Sequence, residues 1–286
     1  MLKALALITI FFSVQFTCST AALLWLNRHD FAHFDPLLIV QPEHSLTLLL
    51  STLASFILTF LLVWAMGLVR RRLVPQQSRA LPTRRVWRGT FWLLLAWLPL
   101  TFIIAICTEL LGLQDTAAPL FEQMLAHPFL AIVTLCLVGP MVEEWVFREG
   151  VLRQLHLSRS NKFWAVVLSA LAFGLVHLNP VQIFAATLLG LLLGWLYVRI
   201  GDVRQPMLLH VFNNSLSLGL MYVTHHYGLP DTLQATVRLV LPRLPLWQEV
   251  GLLSLVLLLL AASALYALYR WSRVAEPMPE RAYFEQ

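Results

Sequence analysis

The sequence predicts an all-α polytopic membrane protein, on three observations. Of its 286 residues, 59% are hydrophobic and only 12% charged, with a mean hydropathy of +0.74, a composition too apolar for a water-soluble domain. The apolar residues fall in long runs, and a hydrocarbon layer ~30 Å thick needs roughly 20 helical residues to cross it. The arginines gather beside those runs, as membrane topology requires. The formal charge of +5 therefore implies no nucleic-acid partner, and the expected surroundings are a lipid bilayer.

About eight spanning helices are expected, each on its own signal. The first, 2–26, has Lys3 ahead of an apolar core and the small, polar TCSTAA, as a cleaved signal peptide would. Its apolar run continues to Leu26 and is too long for one, so a retained anchor is expected. The second, 45–69, ends at the basic linker 70–88, with Arg70, Arg71, Arg72, Arg79, Arg84, Arg85 and Arg88, which the positive-inside rule places in the cytoplasm. The third is 90–113, followed by QDTAAPLFEQ, which has no basic residue and falls outside. The fourth, 127–147, leads to an inner cluster of Arg148, Arg153, Arg159 and Lys162. The fifth, 163–178, is stopped by Asn179-Pro180, and the sixth is 181–200. The seventh, 206–223, opens with Pro206 in its first turn, and the eighth is 250–271.

Alternation puts both termini in the cytoplasm, in agreement with Lys3 at one end and Arg270, Arg273 and Arg281 at the other. Arg238 and Arg243 are the exception: they fall in the outer loop, where VRLVLPRLPLW reads as interfacial. The tail AEPMPERAYFEQ reads as disordered. Three parts follow: helices 1–126 with the basic linker, a core 127–225, and 226–286 with the outer loop, last helix and tail. Cys18, Cys107 and Cys136 lie in apolar runs with no paired or metal-like spacing and read as packing residues.

The charges within these runs are the candidates for function, because an ionisable group at the bilayer centre is costly. Glu144 and Arg148 are four apart with the acid first, so they share a helix face and can pair. Glu143 lies about 100° further round, which leaves it free for chemistry. The competing reading makes EEWVFREGVLRQ a solvated helix end at the cytoplasmic surface. In the fifth helix Phe173 precedes His177 by one turn and can pack on the imidazole. In the seventh, His210 and Asn214 share a face, while Asn213 points elsewhere, as a residue bonding between helices would. A carboxylate and two imidazoles are what acid–base hydrolysis or metal binding requires.

These residues carry a resemblance. EEWVFR fits E-E-x-x-x-R, FGLVH fits F-x-x-x-H, and HVFNN fits H-x-x-x-N, in the order and approximate separations of the CAAX protease and bacteriocin-processing family of intramembrane proteases. The resemblance covers 129–223. It implies an intramembrane endopeptidase with a polar cavity, in the inner membrane of a bacterium, acting on a membrane-associated protein or peptide. Glu143 and His177 would activate a water, and His210 and Asn214 would stabilise the oxyanion or place the water. Glu144, Arg148 and Phe173 would support them. A metal is left open: the cofactor is none or a divalent metal such as zinc, held if present by Glu143, His177 and His210, although no H-E-x-x-H helix occurs.

Two other readings use the same residues. In a non-catalytic scaffold or bacteriocin self-immunity protein the polar cluster only joins helices. In a transporter it is an ion site, but the charges lie only in the second half and no internal symmetry supports that. Depth is a further constraint: Glu143 reaches the level of His177 only if the fourth helix continues past Arg148, or is irregular at Gly139-Pro140.

Overall fold

A computed structural model describes residues 1–69, 83–158, 161–229 and 246–274, and all regular structure among them is helical. The elements are α1 (Leu2–Leu26), α2 (Ser45–Ala65), α3 (Thr83–Leu110), α4 (Ala118–Met124), a continuous helical run over 128–158, α8 (Lys162–Leu175), α9 (Pro180–Ile200), α10 (Arg204–Tyr227) and α11 (Leu246–Val274). The run divides into α5 (Pro128–Ala131), a wide π-helical stretch (Ile132–Val138), α6 (Gly139–Glu144), a second π-helical stretch (Trp145–Leu152) and α7 (Arg153–Ser158). All eight expected segments are thus helical. Among the described residues six helices are long and apolar enough to cross a membrane, so the chain is an all-α polytopic membrane protein.

The other two segments fall short for different reasons. α8 has 14 residues, about 21 Å at 1.5 Å each, because Leu178 takes a left-handed backbone (φ 57) and Pro180 starts the next helix. α10 is long enough at 24 residues, but Arg204, Gln205, His210, Asn213 and Asn214 lower its hydropathy. Two boundaries also move. The fourth helix does not stop at 147 but runs on to 158, as the depth of Glu143 requires. α3 takes in the end of the basic linker, including Arg84, Arg85 and Arg88. The rest of that linker, the loop with Arg238 and Arg243, and the tail lie outside the described residues.

The run 128–158 is the most buried of the six spanning segments. One core packs Leu7 and Phe11 of α1 and Phe56 and Val63 of α2 against Val142, Trp145, Phe147 and Leu152 of the run, with Phe173 of α8 on the far side. A second core joins Leu93 and Trp97 of α3, Leu193 and Leu196 of α9, Leu209 of α10, and Leu268 of α11. α4 falls within the expected outer loop. Its Leu120, Phe121 and Met124 pack on Leu48 and Leu49 of α2, a helix too short for periodicity to reveal.

Pro140 accounts for the first of the two wide stretches. It has no N–H and its ring crowds the preceding turn, and the wide turns of Ile132–Val138 lie just ahead of it. In consequence the Gly139 N–H reaches back to the Thr134 carbonyl, and the Leu135 carbonyl, which would face Gly139 or Pro140, is left without a backbone donor.

α8 and α9 pack backbone to backbone through small residues. A Cβ on Gly174 would lie 2.7 Å from the Ile183 carbonyl and meet Thr187, and one on Gly190 would lie 3.1 Å from the Ala170 Cα. Gly174→Ala should therefore push α9 off α8 and cost on the order of 1–3 kcal/mol. The check is a thermal midpoint in detergent, and Gly219→Ala, where nothing lies within 4 Å, is the control expected to leave it unchanged.

Candidate active site

The middle of the run places Glu143 and Glu144 on α6 and Arg148 one turn on. Glu144 Oε2 lies 2.9 Å from Arg148 Nε, and both side chains have 0% exposure. That burial rules out a solvated helix end. The contact with Glu144 is ionic: Nε, Nη1 and Nη2 of Arg148 all lack an aligned hydrogen-bond acceptor among the described residues, and the guanidinium carbon stands 4.8 Å over the Phe173 ring, a cation–π contact.

α10 inserts His210 between the two acids. Its Nδ1 is 3.0 Å from Glu144 Oε1, and its Nε2 is 3.6 Å from Glu143 Oε2. Glu144 is therefore shared between Arg148 and His210, which i,i+4 spacing within one helix had no means of showing. Glu143 is the acid not in contact with Arg148, and it keeps slight exposure, 12% of its side chain.

His177 is held by the end of its own helix. Val176, His177 and Leu178 donate their N–H groups to Ala172, Gly174 and Leu175, which passes over the Phe173 carbonyl. His177 Nδ1 fills that place at 2.9 Å. A carbonyl only accepts, so the hydrogen-bond network assigns the proton to Nδ1 and leaves the Nε2 lone pair open. The turn that follows is fastened from outside: buried Asn179 donates to Asp115 Oδ1 at 2.7 Å and accepts from the Thr116 N–H at 3.3 Å. Nothing in the sequence links Asp115 to Asn179, 64 residues away.

Asn214 caps a carbonyl too. Its Nδ2 donates to Leu135 O at 2.9 Å, the carbonyl orphaned by Pro140, and its Oδ1 accepts from Asn213. The second Nδ2 hydrogen stays available. Asn213, expected to bond between helices, accepts from the Trp97 indole of α3 at 2.9 Å.

Phe173 joins these parts. Its fully buried ring lies 5.2 Å from that of His177, 5.5 Å from His210 and 5.2 Å from Phe147, all near edge-on. The sequence reading gave it His177 alone. Phe173→Ala should cost about 3–5 kcal/mol and release both imidazoles. Phe173→Leu keeps most of the apolar volume, so its loss of stability should be smaller. Thermal midpoints of the two variants check this.

No group of three His, Cys, Asp or Glu side chains among the described residues is arranged to hold a metal ion. The conditional set Glu143, His177 and His210 does not form such a group among the described residues.

Comparisons with known proteins bear on the same segment. Residues 125–216 match the family model of the type II CAAX prenyl endopeptidase Rce1-like proteins. YdiL, a candidate membrane peptidase of Bacillus subtilis (strain 168), is 28% identical over 102 residues, which is 36% of this chain and 41% of the relative. The aligned stretch thus spans less than half of that protein. No solved structure matches the chain. The three motifs and the buried cluster lie inside the matched stretch, residues 125–216, which is similar to the type II CAAX prenyl endopeptidase Rce1-like proteins.

Proposed function

We propose that the chain is an intramembrane endopeptidase that hydrolyses a peptide bond near the membrane, in a small protein or in its C-terminal or leader segment. The observation that carries this is Glu143: a carboxylate left unpaired by Arg148, inside a spanning helix, against an imidazole. The family of the matched segment supports the reaction class. Prenylated CAAX proteins are one substrate class, and a peptide leader or sorting tail is equally admissible.

Charge balance supports a division of labour. Glu143 and Glu144 set two negative charges against the single cation of Arg148, and burying an unbalanced charge is costly. One proton on His210 restores neutrality. It also makes Nε2 a donor for an oxyanion and leaves Glu143 ionised as the base. Glu143 then takes a proton from water, whose oxygen attacks the scissile carbonyl carbon, and passes that proton to the leaving amine. The Nε2 lone pair of His177 is the second acceptor on this side of Phe173, and the free Asn214 N–H is a second oxyanion donor. The 3.6 Å between His210 and Glu143 is longer than a hydrogen bond, a looseness common in sites without substrate. Both termini are cytoplasmic in this reading, and the membrane is the bacterial inner membrane.

The test compares protein termini in membranes carrying the intact chain or Glu143→Ala at matched expression. Termini that vanish in the variant establish proteolysis and name the substrate. Identical termini turn the reading towards a scaffold or self-immunity protein.

A further inference from the structure

We infer that Glu144 is a positioning residue for His210: it holds the imidazole with Nδ1 protonated and turns Nε2 towards Glu143. The inference rests on the peptidase reading of the cluster.

A carboxylate whose task is to neutralise a buried arginine has a better geometry at hand than the one adopted. Arginine presents a planar fork, and the strong arrangement pairs both carboxylate oxygens with two N–H groups in parallel. Glu144 forgoes this. Its Oε2 lies 2.9 Å from Arg148 Nε as an ion pair, and none of the three guanidinium nitrogens has an aligned hydrogen-bond acceptor among the described residues. Its other oxygen, Oε1, goes to His210 Nδ1 at 3.0 Å. Leaving donors of a buried guanidinium unmatched is costly, so the orientation of Glu144 reflects a second demand.

Chemistry then decides that Nδ1 is the nitrogen Glu144 keeps protonated. A carboxylate in contact with a guanidinium is an acceptor only, so the hydrogen between Glu144 and His210 sits on Nδ1. The Phe173 ring, perpendicular at 5.5 Å, flanks the imidazole and bonds to neither nitrogen. Nε2 is left as the nitrogen that exchanges a proton, and it faces Glu143. Arg148 in turn holds Glu144 from the opposite side. E-E-x-x-x-R thus reads as a relay of orientation, from Arg148 through Glu144 to His210, with Glu143 beside it.

The test is solid-state NMR of the full chain in bilayers, with 15N-histidine and 13C-labelled glutamate carboxylate, beside kinetics of Glu144→Met/Arg148→Met. That double variant removes both charges together, which spares it an unpaired buried ion. The wild-type spectrum should show a protonated histidine Nδ1 correlated with a glutamate carboxylate, and the double variant should lack it. Its kcat should be lower by up to roughly 10⁴-fold, the loss when a carboxylate that orients a hydrolytic imidazole is replaced, with KM unchanged. A wild-type His210 protonated on Nε2 alone overturns the inference, as does wild-type kcat in the double variant, where Glu144 would be no more than the partner of Arg148. If the double variant does not fold, the wild-type spectrum decides. A wild-type chain that cleaves nothing removes the peptidase reading, while the same spectrum still reports the tautomer.

Discussion

Glu143→Gln should leave the protein folded and stop its chemistry. The amide keeps the shape of the acid and can still accept from His210, so accumulation in membranes should match the parent chain. What it removes is the group that takes a proton from water in the proposed reaction. Losing a positioned general base lowers turnover by about 10²–10⁴-fold, which in a cleavage assay reads as loss of product at full protein level. Turnover within a few-fold of the parent would move the base to His177, the other acceptor beside Phe173. An unfolded variant would instead make Glu143 structural.

Arg148→Ala should do the opposite. It strands the Glu144 carboxylate at 0% exposure and empties the space over Phe173. Breaking a buried pair by removing one partner costs about 3–5 kcal/mol, against a total stability of roughly 5–15 kcal/mol for a domain. The variant should be depleted from membranes or aggregate on extraction, as size-exclusion profiles at matched synthesis would show. Arg148→Lys should rescue only in part: the ammonium restores the charge but not the planar group over the ring. Equal accumulation of Arg148→Ala and Glu143→Gln would overturn this assignment of structure to one residue and chemistry to the other.

The two outcomes differ because neighbours along the chain meet different surroundings. Glu143 and Glu144 are adjacent on α6, yet only Glu144 points where both Arg148 and His210 can reach it. Helical spacing anticipates the first contact and is silent on the second, since His210 lies 66 residues further on.

The sequence by itself determined the all-helical membrane architecture, because crossing hydrocarbon requires long apolar runs whose backbone bonds are satisfied within each segment. It also determined which side chains to watch, because charged and polar groups in such runs stand out against their cost. The tertiary structure alone decided how they meet. Pro140 leaves the Leu135 carbonyl open and Asn214 closes it from α10; the end of α8 leaves the Phe173 carbonyl open and His177 closes it; Asp115 fastens Asn179 across 64 residues. These contacts depend on helix ends and crossings, which arise from packing of distant segments and leave no period in the chain. The hub role of Phe173 is of the same kind, because one ring becomes the meeting point of two imidazoles and a guanidinium only when three helices are brought together.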